Sequence, residues 1–300
     1  MMLTEVADRL VRCLDAVLDE ILLSILVLLC SVGIYCLWDA VHLYDSADPE
    51  QYRQYRPVRE EDSISLDELK KSNKDVIGWI SVNGTGIDYP LVQGKTNTEY
   101  LSLNAEGRRA SSGSIYLDYR NSPYFSDFSS VIYGHHMSHG SMFGDIDLYT
   151  DRDFFEMHRR GELYYFREDS TLLVHKEIEF FAFSACIDGY DDRVYGLKFD
   201  NDEEKKDYID YITSNADYVI SSVADYKDKL IILSTCNRSM TNGRYILVGM
   251  LTEPDTDIIQ TMSSDEEESA VPVWLYLLFI LLGISLIFVL NKRAHLKKRK

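Results

Sequence analysis

Ile231-Ile232-Leu233-Ser234-Thr235-Cys236, read with Arg244-Tyr245-Ile246-Leu247-Val248-Gly249-Met250, decides how this chain folds. Both runs are apolar, of strand length, and joined by a short polar link. That pattern predicts two neighbouring strands. Cys236 then ends one strand, Arg244 begins the other, and the two face each other. A guanidinium beside a thiol stabilises the thiolate, or the oxyanion formed when that thiol attacks a carbonyl. The missing partner is a base. Tyr133-Gly134-His135-His136 supplies candidates about a hundred residues upstream. A Cys, a His and an Arg gathered from distant segments are what nucleophilic acyl transfer needs.

Upstream, the same kind of signal recurs. Residues 76–82 and 87–92 read as strands around the turn signal Asn83-Gly84-Thr85-Gly86. Residues 114–119, 131–133, 162–167, 172–174 and 177–185 read as further strands, and 229–235 and 244–251 close the set. Helical patterns are short: 66–71, 142–149, 152–158 and 201–214, the last with Tyr208, Ile209 and Ile212 at helical spacing and Asp200 able to cap it. Eight or nine short strands with few helices predict an all-β, closed antiparallel barrel with appended helices. The sequence has no internal repeat and no glycine-rich phosphate loop.

Each reactive residue also has a plainer reading. A cysteine closing an apolar run is commonly a small buried hydrophobe. Neighbouring residues of an extended segment point to opposite faces, so only one of His135 and His136 can meet Cys236. His135 and His139 share the spacing of a metal pair, but no HExxH pattern and no third ligand accompany them. No metal or organic cofactor is implied. Arg244 alone would pass for a surface ion-pair residue. Cys186 is the other cysteine of residues 39–269, and a Cys186–Cys236 bridge would mask the nucleophile, so Cys186 is assigned a packing role.

With these blocks on the page, the chain resembles the sortase family. Leu233-Ser234-Thr235-Cys236 followed by Arg244 is similar to the signature T-L-x-T-C then R, with Ile232 in place of the leading Thr. Four upstream blocks resemble class B sortases in particular. They are Asp75-Val76-Ile77-Gly78-Trp79-Ile80, Ile87-Asp88-Tyr89-Pro90-Leu91-Val92-Gln93, Ser112-Gly113-Ser114-Ile115-Tyr116-Leu117-Asp118-Tyr119-Arg120-Asn121 and Val131-Ile132-Tyr133-Gly134-His135-His136-Met137. The resemblance spans residues 66–251. It implies an eight-stranded barrel and a cysteine transpeptidase that cleaves a C-terminal sorting motif of secreted proteins through a thioester. It also implies His135 as the catalytic histidine, directly after the glycine, and Arg244 as the group steadying the carbonyl or oxyanion. Asn97, Leu101, Tyr195, Ser234 and Thr235 fall where the family forms its peptide groove and oxyanion environment. Where the family carries an acid after the nucleophile, this chain has Asn237.

Three hundred residues, 46% of them hydrophobic, can bury a substantial core. The apolar residues are unevenly spread. Residues 21–38 and 270–290 are uncharged runs, each about long enough to cross a ~30 Å hydrocarbon core as a helix. Tyr35-Cys36-Leu37-Trp38 is bulky where a signal peptidase would need small residues, so the first run reads as a retained anchor. Lys292, Arg293, Lys297, Lys298, Arg299 and Lys300 follow the second run, and basic flanks stay in the cytoplasm. The expected layout is a cytoplasmic 1–20, a span at 21–38, and a linker or lid at 39–65. The catalytic barrel follows at 66–252, then an acidic stalk at 253–269, a second span at 270–290, and a basic cytoplasmic tail at 291–300.

Residues 39–269 carry 23 Lys and Arg against 44 Asp and Glu, which disfavours nucleic acid as a partner. The partners implied by the resemblance are the membrane, secreted proteins or pilins bearing a sorting signal, and an amine acceptor. That acceptor is a pilin lysine or a peptidoglycan precursor. The second span and its basic tail resemble the arrangement of pilus-building class C sortases. Two readings from other classes stay open at this level: a hydrolytic cysteine protease, with water as acceptor, and a non-catalytic surface barrel.

Overall fold

The computed structural model describes residues 2–57, 64–168, 173–189, 191–220, 224–237 and 241–254. The expected stalk beyond residue 254, the second span and the basic tail lie outside the described residues.

The strands are β1 (Val76–Val82), β2 (Asp88–Val92), β3 (Ile115–Leu117), β4 (Ser129–Tyr133), β5 (Arg160–Phe166), β6 (Leu173–Asp188), β7 (Tyr218–Val219), β8 (Leu230–Cys236) and β9 (Gly243–Thr252). Their order is β5-β1-β2-β3-β4-β8-β9-β6, and β6 pairs back onto β5. That ring is the closed eight-stranded barrel, with β7 added beside β6. Two pairs, β2–β3 and β4–β8, are parallel, so the barrel is not wholly antiparallel as the strand pattern suggested. Those two pairs need long crossovers, which carry the short helices and loops around the site.

Two departures from the sequence reading concern length. Residues 172–174 and 177–185 were expected as separate strands but belong to one, β6, running Leu173–Asp188. The polar pair between them stays extended because it has partners: the His175 ring stacks on Tyr164 at 4.3 Å, and Lys176 pairs with Glu253. Register shifts between Phe180 and Ala182, and again between Ser184 and Ile187, let this long strand bend. The first helix is also longer than the expected 21–38 span. Helix α1 (Met2–Ala47) is continuous, because neither Pro nor Gly interrupts it except Gly33 within the apolar run. It ends where Pro49 forces Asp48 into the extended region, ψ 122°. Asp48 then caps a 3₁₀ turn, Pro49–Tyr55, that buries Tyr52. The expected linker therefore begins as helix docked on the barrel. Ala47 is fully buried, Tyr89 donates its hydroxyl hydrogen to the Ala47 carbonyl at 2.7 Å, and Ser112 Oγ bonds Ser46. The apolar part of α1 is exposed, and α1 is long and apolar enough to cross a membrane.

Three further helices are α2 (Ile64–Ser72), α3 (Arg152–Met157) and α4 (Asp202–Ser214). Asn201, not Asp200, caps α4, accepting the Glu204 N–H at 3.0 Å. α4 explains why the decisive run is apolar on both faces. Along β8, Ile231 and Leu233 join the barrel interior, while Leu230 and Ile232 pack outside against Tyr208, Ile209 and Ile212 of α4. On β9, Leu247 faces in, and Ile246 and Val248 face α4. The alternation is the two-residue period of a strand with both faces covered.

Candidate active site

The outward face of β8 runs Leu230, Ile232, Ser234, Cys236. α4 covers its first half, and the second half continues past the helix into a cleft. β9 is antiparallel to β8 with Cys236 directly opposite Arg244 and Ser234 opposite Ile246. β4 is parallel to β8 with Tyr133 beside Ser234. β4 ends at Tyr133, and two residues further on His135 lines the same cleft as Cys236. A parallel and an antiparallel neighbour thus deliver His and Arg to the same end and face of the central strand.

The cleft has a volume of about 510 Å³. It is lined by all eight residues singled out from sequence: Cys236, His135, Arg244, Asn97, Leu101, Tyr195, Ser234 and Thr235. Cys236 is an exposed free thiol, and Arg244 donates a guanidinium N–H to its Sγ. His135 Nε2 lies 3.0 Å from the Leu101 carbonyl. A carbonyl only accepts, so this bond puts a hydrogen on Nε2 and leaves Nδ1 outside that bond. Gly113 makes the contact possible. It sits at φ +63°, and a Cβ there would lie 2.9 Å from the Leu101 oxygen and 3.1 Å from the His135 ring.

His136 turns the other way. Its Nε2 bonds Asp147 at 3.0 Å, and it lines a separate cavity with Tyr245. His139 packs edge-on against Tyr44 of α1 and lines the same cavity as His136. Thr235 Oγ donates to the Gly134 carbonyl at 2.8 Å, stitching β8 to the histidine segment. Asn237, directly after Cys236, is buried; its amide donates to the Ala185 carbonyl and its N–H to the Gly243 carbonyl. It pins the β8–β9 turn to β6.

Sequence reasoning missed Tyr116, Tyr133, Arg120, Gly189 and Asp192 as lining residues. Tyr116, Tyr133 and Arg120 lie inside the quoted blocks, but nothing local to them marks a cleft. The phenols stay neutral donors. Burial pushes Tyr116 up to about 12, against the lowering effect of Arg244. Burial, then the Asp118 charge, pushes Tyr133 well above the ordinary tyrosine value. Burial also raises Tyr195, whose hydroxyl lies 3.1 Å from Ser234 Oγ.

The sortase domain family matches residues 80–252. Sortase B of Listeria monocytogenes is 36% identical over 189 residues, covering 62% of this chain and 73% of that protein. Among solved structures, a mutant form of Clostridium perfringens sortase B superposes with a TM-score of 0.62 at 28% identity, covering 69% of this chain and 97% of that one. Sortase B from the Type II pilus of Streptococcus pneumoniae is 38% identical with a TM-score of 0.53, covering 62% and 98%. Nothing in these likenesses favours a simple hydrolase or a non-catalytic barrel. A barrel that delivers Cys, His and Arg to one strand end, and relatives that share it along most of their length, make this chain a member of the sortase family: a class B sortase, a cysteine transpeptidase.

Proposed function

We propose that Cys236 is the nucleophile of this transpeptidase, His135 its proton carrier and Arg244 its oxyanion donor. The observation that carries the assignment is the cross-strand pair in which Arg244 donates to Cys236 Sγ. Cys236 gives its thiol proton to Nδ1 of His135, the thiolate attacks the scissile carbonyl of a sorting peptide, and the C=O electron pair moves onto oxygen beside the Arg244 guanidinium. The C–N bond breaks, His135 gives its proton to the departing amine, and a thioester remains. An incoming amine attacks the thioester carbonyl, loses its proton to His135 and expels the Cys236 thiolate. Asn97, Leu101, Tyr195, Ser234 and Thr235 line the groove for the peptide.

The sortase family acts on substrates that carry a sorting signal. For the acceptor we favour a pilin lysine, in keeping with the 38% identity to a pilus-associated sortase B. α1 anchors the enzyme, the barrel faces outward and both termini are cytoplasmic. The apolar exposed helix and the six basic residues after Leu290 support this layout.

Full-length protein is incubated with a randomised sorting-peptide library, with and without lysine-bearing pilin or wall-precursor amines, and products are weighed by mass spectrometry. Cys236→Ala is expected to yield neither thioester nor product; transfer surviving in that variant would falsify the mechanism. A product carrying only wall-precursor amine would overturn the pilin acceptor. Protease added to protoplasts is expected to remove the barrel and spare a C-terminal tag. Loss of the tag would reverse the orientation.

A further inference from the structure

We propose that Asp118 is a positioning residue that sets the peptide-facing wall of the cleft. The proposal rests on the reading of that cleft as the peptide site. Asp118 belongs to the block Ser112–Asn121, to which the mechanism assigns no role. Its side chain is fully buried and does not line the cleft. Its partners do. Oδ1 accepts the backbone N–H and the Nε–H of Arg120, both at 2.9 Å. Oδ2 accepts Arg120 Nη2 at 2.9 Å, Asn97 Nδ2 at 2.8 Å and the Tyr133 hydroxyl at 3.2 Å. Asn97, Arg120 and Tyr133 all line the cleft.

A carboxylate has about four lone-pair sites, so these bonds use its whole capacity and leave nothing for a substrate. Asp118 therefore acts through its neighbours. Asn97 also accepts the Tyr119 N–H on Oδ1 at 3.0 Å. With both ends of its amide committed, its orientation is fixed, and it keeps one N–H for a peptide carbonyl. The Arg120 fork spends its Nε–H and one Nη2–H on Asp118, and the rest of its N–H groups remain for the cleft, where the side chain is 47% exposed. One buried acceptor thus converts two flexible polar side chains into a preset donor wall. Preset donors bind an extended peptide without the entropy cost of ordering them on arrival.

Asparagine keeps the shape of Asp118 but offers one acceptor oxygen in place of two, and turns an NH₂ toward groups that are all donors. The experiment uses full-length protein and, as probe, the fluorogenic heptapeptide that the wild type cleaves fastest from a randomised library. Asp118→Asn is expected to raise KM about tenfold, with kcat held within about twofold and Cys236 alkylated by iodoacetamide at the wild-type rate. In an Asn97→Ala/Arg120→Ala/Tyr133→Phe background the same change is expected to move KM less than about twofold, since its intermediaries are gone. A wild-type KM in folded Asp118→Asn overturns the proposal. So does the full tenfold effect persisting in that background, or a joint fall of kcat and alkylation, which marks a general structural role. Should Asp118→Asn fail to fold, Arg120→Lys decides. It keeps the charge and loses the fork, a rise in KM of about threefold or more supports the proposal, and an unchanged KM overturns it. Cleavage surviving in Cys236→Ala sinks the nucleophile assignment instead, so the two failures are separable.

Discussion

Arg244→Lys separates two ways in which a cation can help a thiol. Arg244 and Cys236 are direct cross-strand partners, and the guanidinium donates to Sγ, so the charge is held close by the sheet itself. If the role is only electrostatic, two unit charges about 4 Å apart at an effective dielectric of about 20 interact by about 4 kcal/mol. A lysine ammonium seated about 1 Å farther keeps about 3.3 kcal/mol of that. The loss, about 0.8 kcal/mol, slows the reaction only about fourfold. If Arg244 instead aims N–H groups at the oxyanion, lysine cannot reproduce the planar fork, and losing one such donor costs ~10²–10³-fold in turnover. The two outcomes differ by more than an order of magnitude. We expect the larger loss. The assay is kcat/KM for acyl transfer by both proteins, beside the pH dependence of Cys236 alkylation. Transfer by Arg244→Lys within about fivefold of wild type would refute the directed-donor role and leave simple charge stabilisation.

The adjacent histidines should part company: His135→Ala is expected to lose transfer almost entirely, and His136→Ala, which lines the other cavity, to lose less than about tenfold while unfolding at lower temperature, read by turnover and by thermal melts. Gly189→Ala would set a Cβ 3.0 Å from Arg244 Nε and 3.0 Å from the Asn242 carbonyl; displacement of the guanidinium should lower kcat several-fold with the far-UV circular dichroism unchanged. Asp118 gives an acid dependence of stability. Burial pushes its carboxyl up, but the Arg120 and Asn97 hydrogen bonds outweigh this and hold it below the usual carboxylate range. Its folded pKa is depressed, so its contribution is complete above the ordinary value near 4 and is lost as pH falls through that value toward the folded one. Denaturant melts from pH 6 to pH 2 should therefore show a steeper loss of stability in the wild type than in Asp118→Asn, and parallel slopes would remove Asp118 from the acid limb.

The central pairing was legible because it is local. Two apolar runs with a short link can hardly avoid pairing, and the spacing of Cys236 and Arg244 within them fixes that they meet. The adjacency of His135 and His136 likewise fixes that they diverge, since strand geometry alternates faces. Strand ends were less legible where polar residues interrupt an apolar pattern. His175 and Lys176 read as a break because their partners, Tyr164 and Glu253, are remote in sequence. β7, only two residues long, has no pattern of its own and exists because β6 offers it an edge.

By itself, then, the sequence determined a closed barrel with few helices, a long apolar helix at the N-terminal end, and which thiol, imidazole and guanidinium are candidates for the chemistry. These follow from residue type and short-range period, which act wherever the chain goes. Only the tertiary structure decided what surrounds them. Parallel pairing of β4 with β8 brings residues 133–135 into the cleft of Cys236 across a hundred residues, and the Leu101 carbonyl chooses the tautomer. Arg120 and Tyr133 become cleft residues through a buried acid that no local pattern distinguishes from a surface one. A carboxylate in a sequence is simply a charge. It becomes an organising acceptor when folding takes it out of water and leaves its lone pairs no partners except the side chains around it.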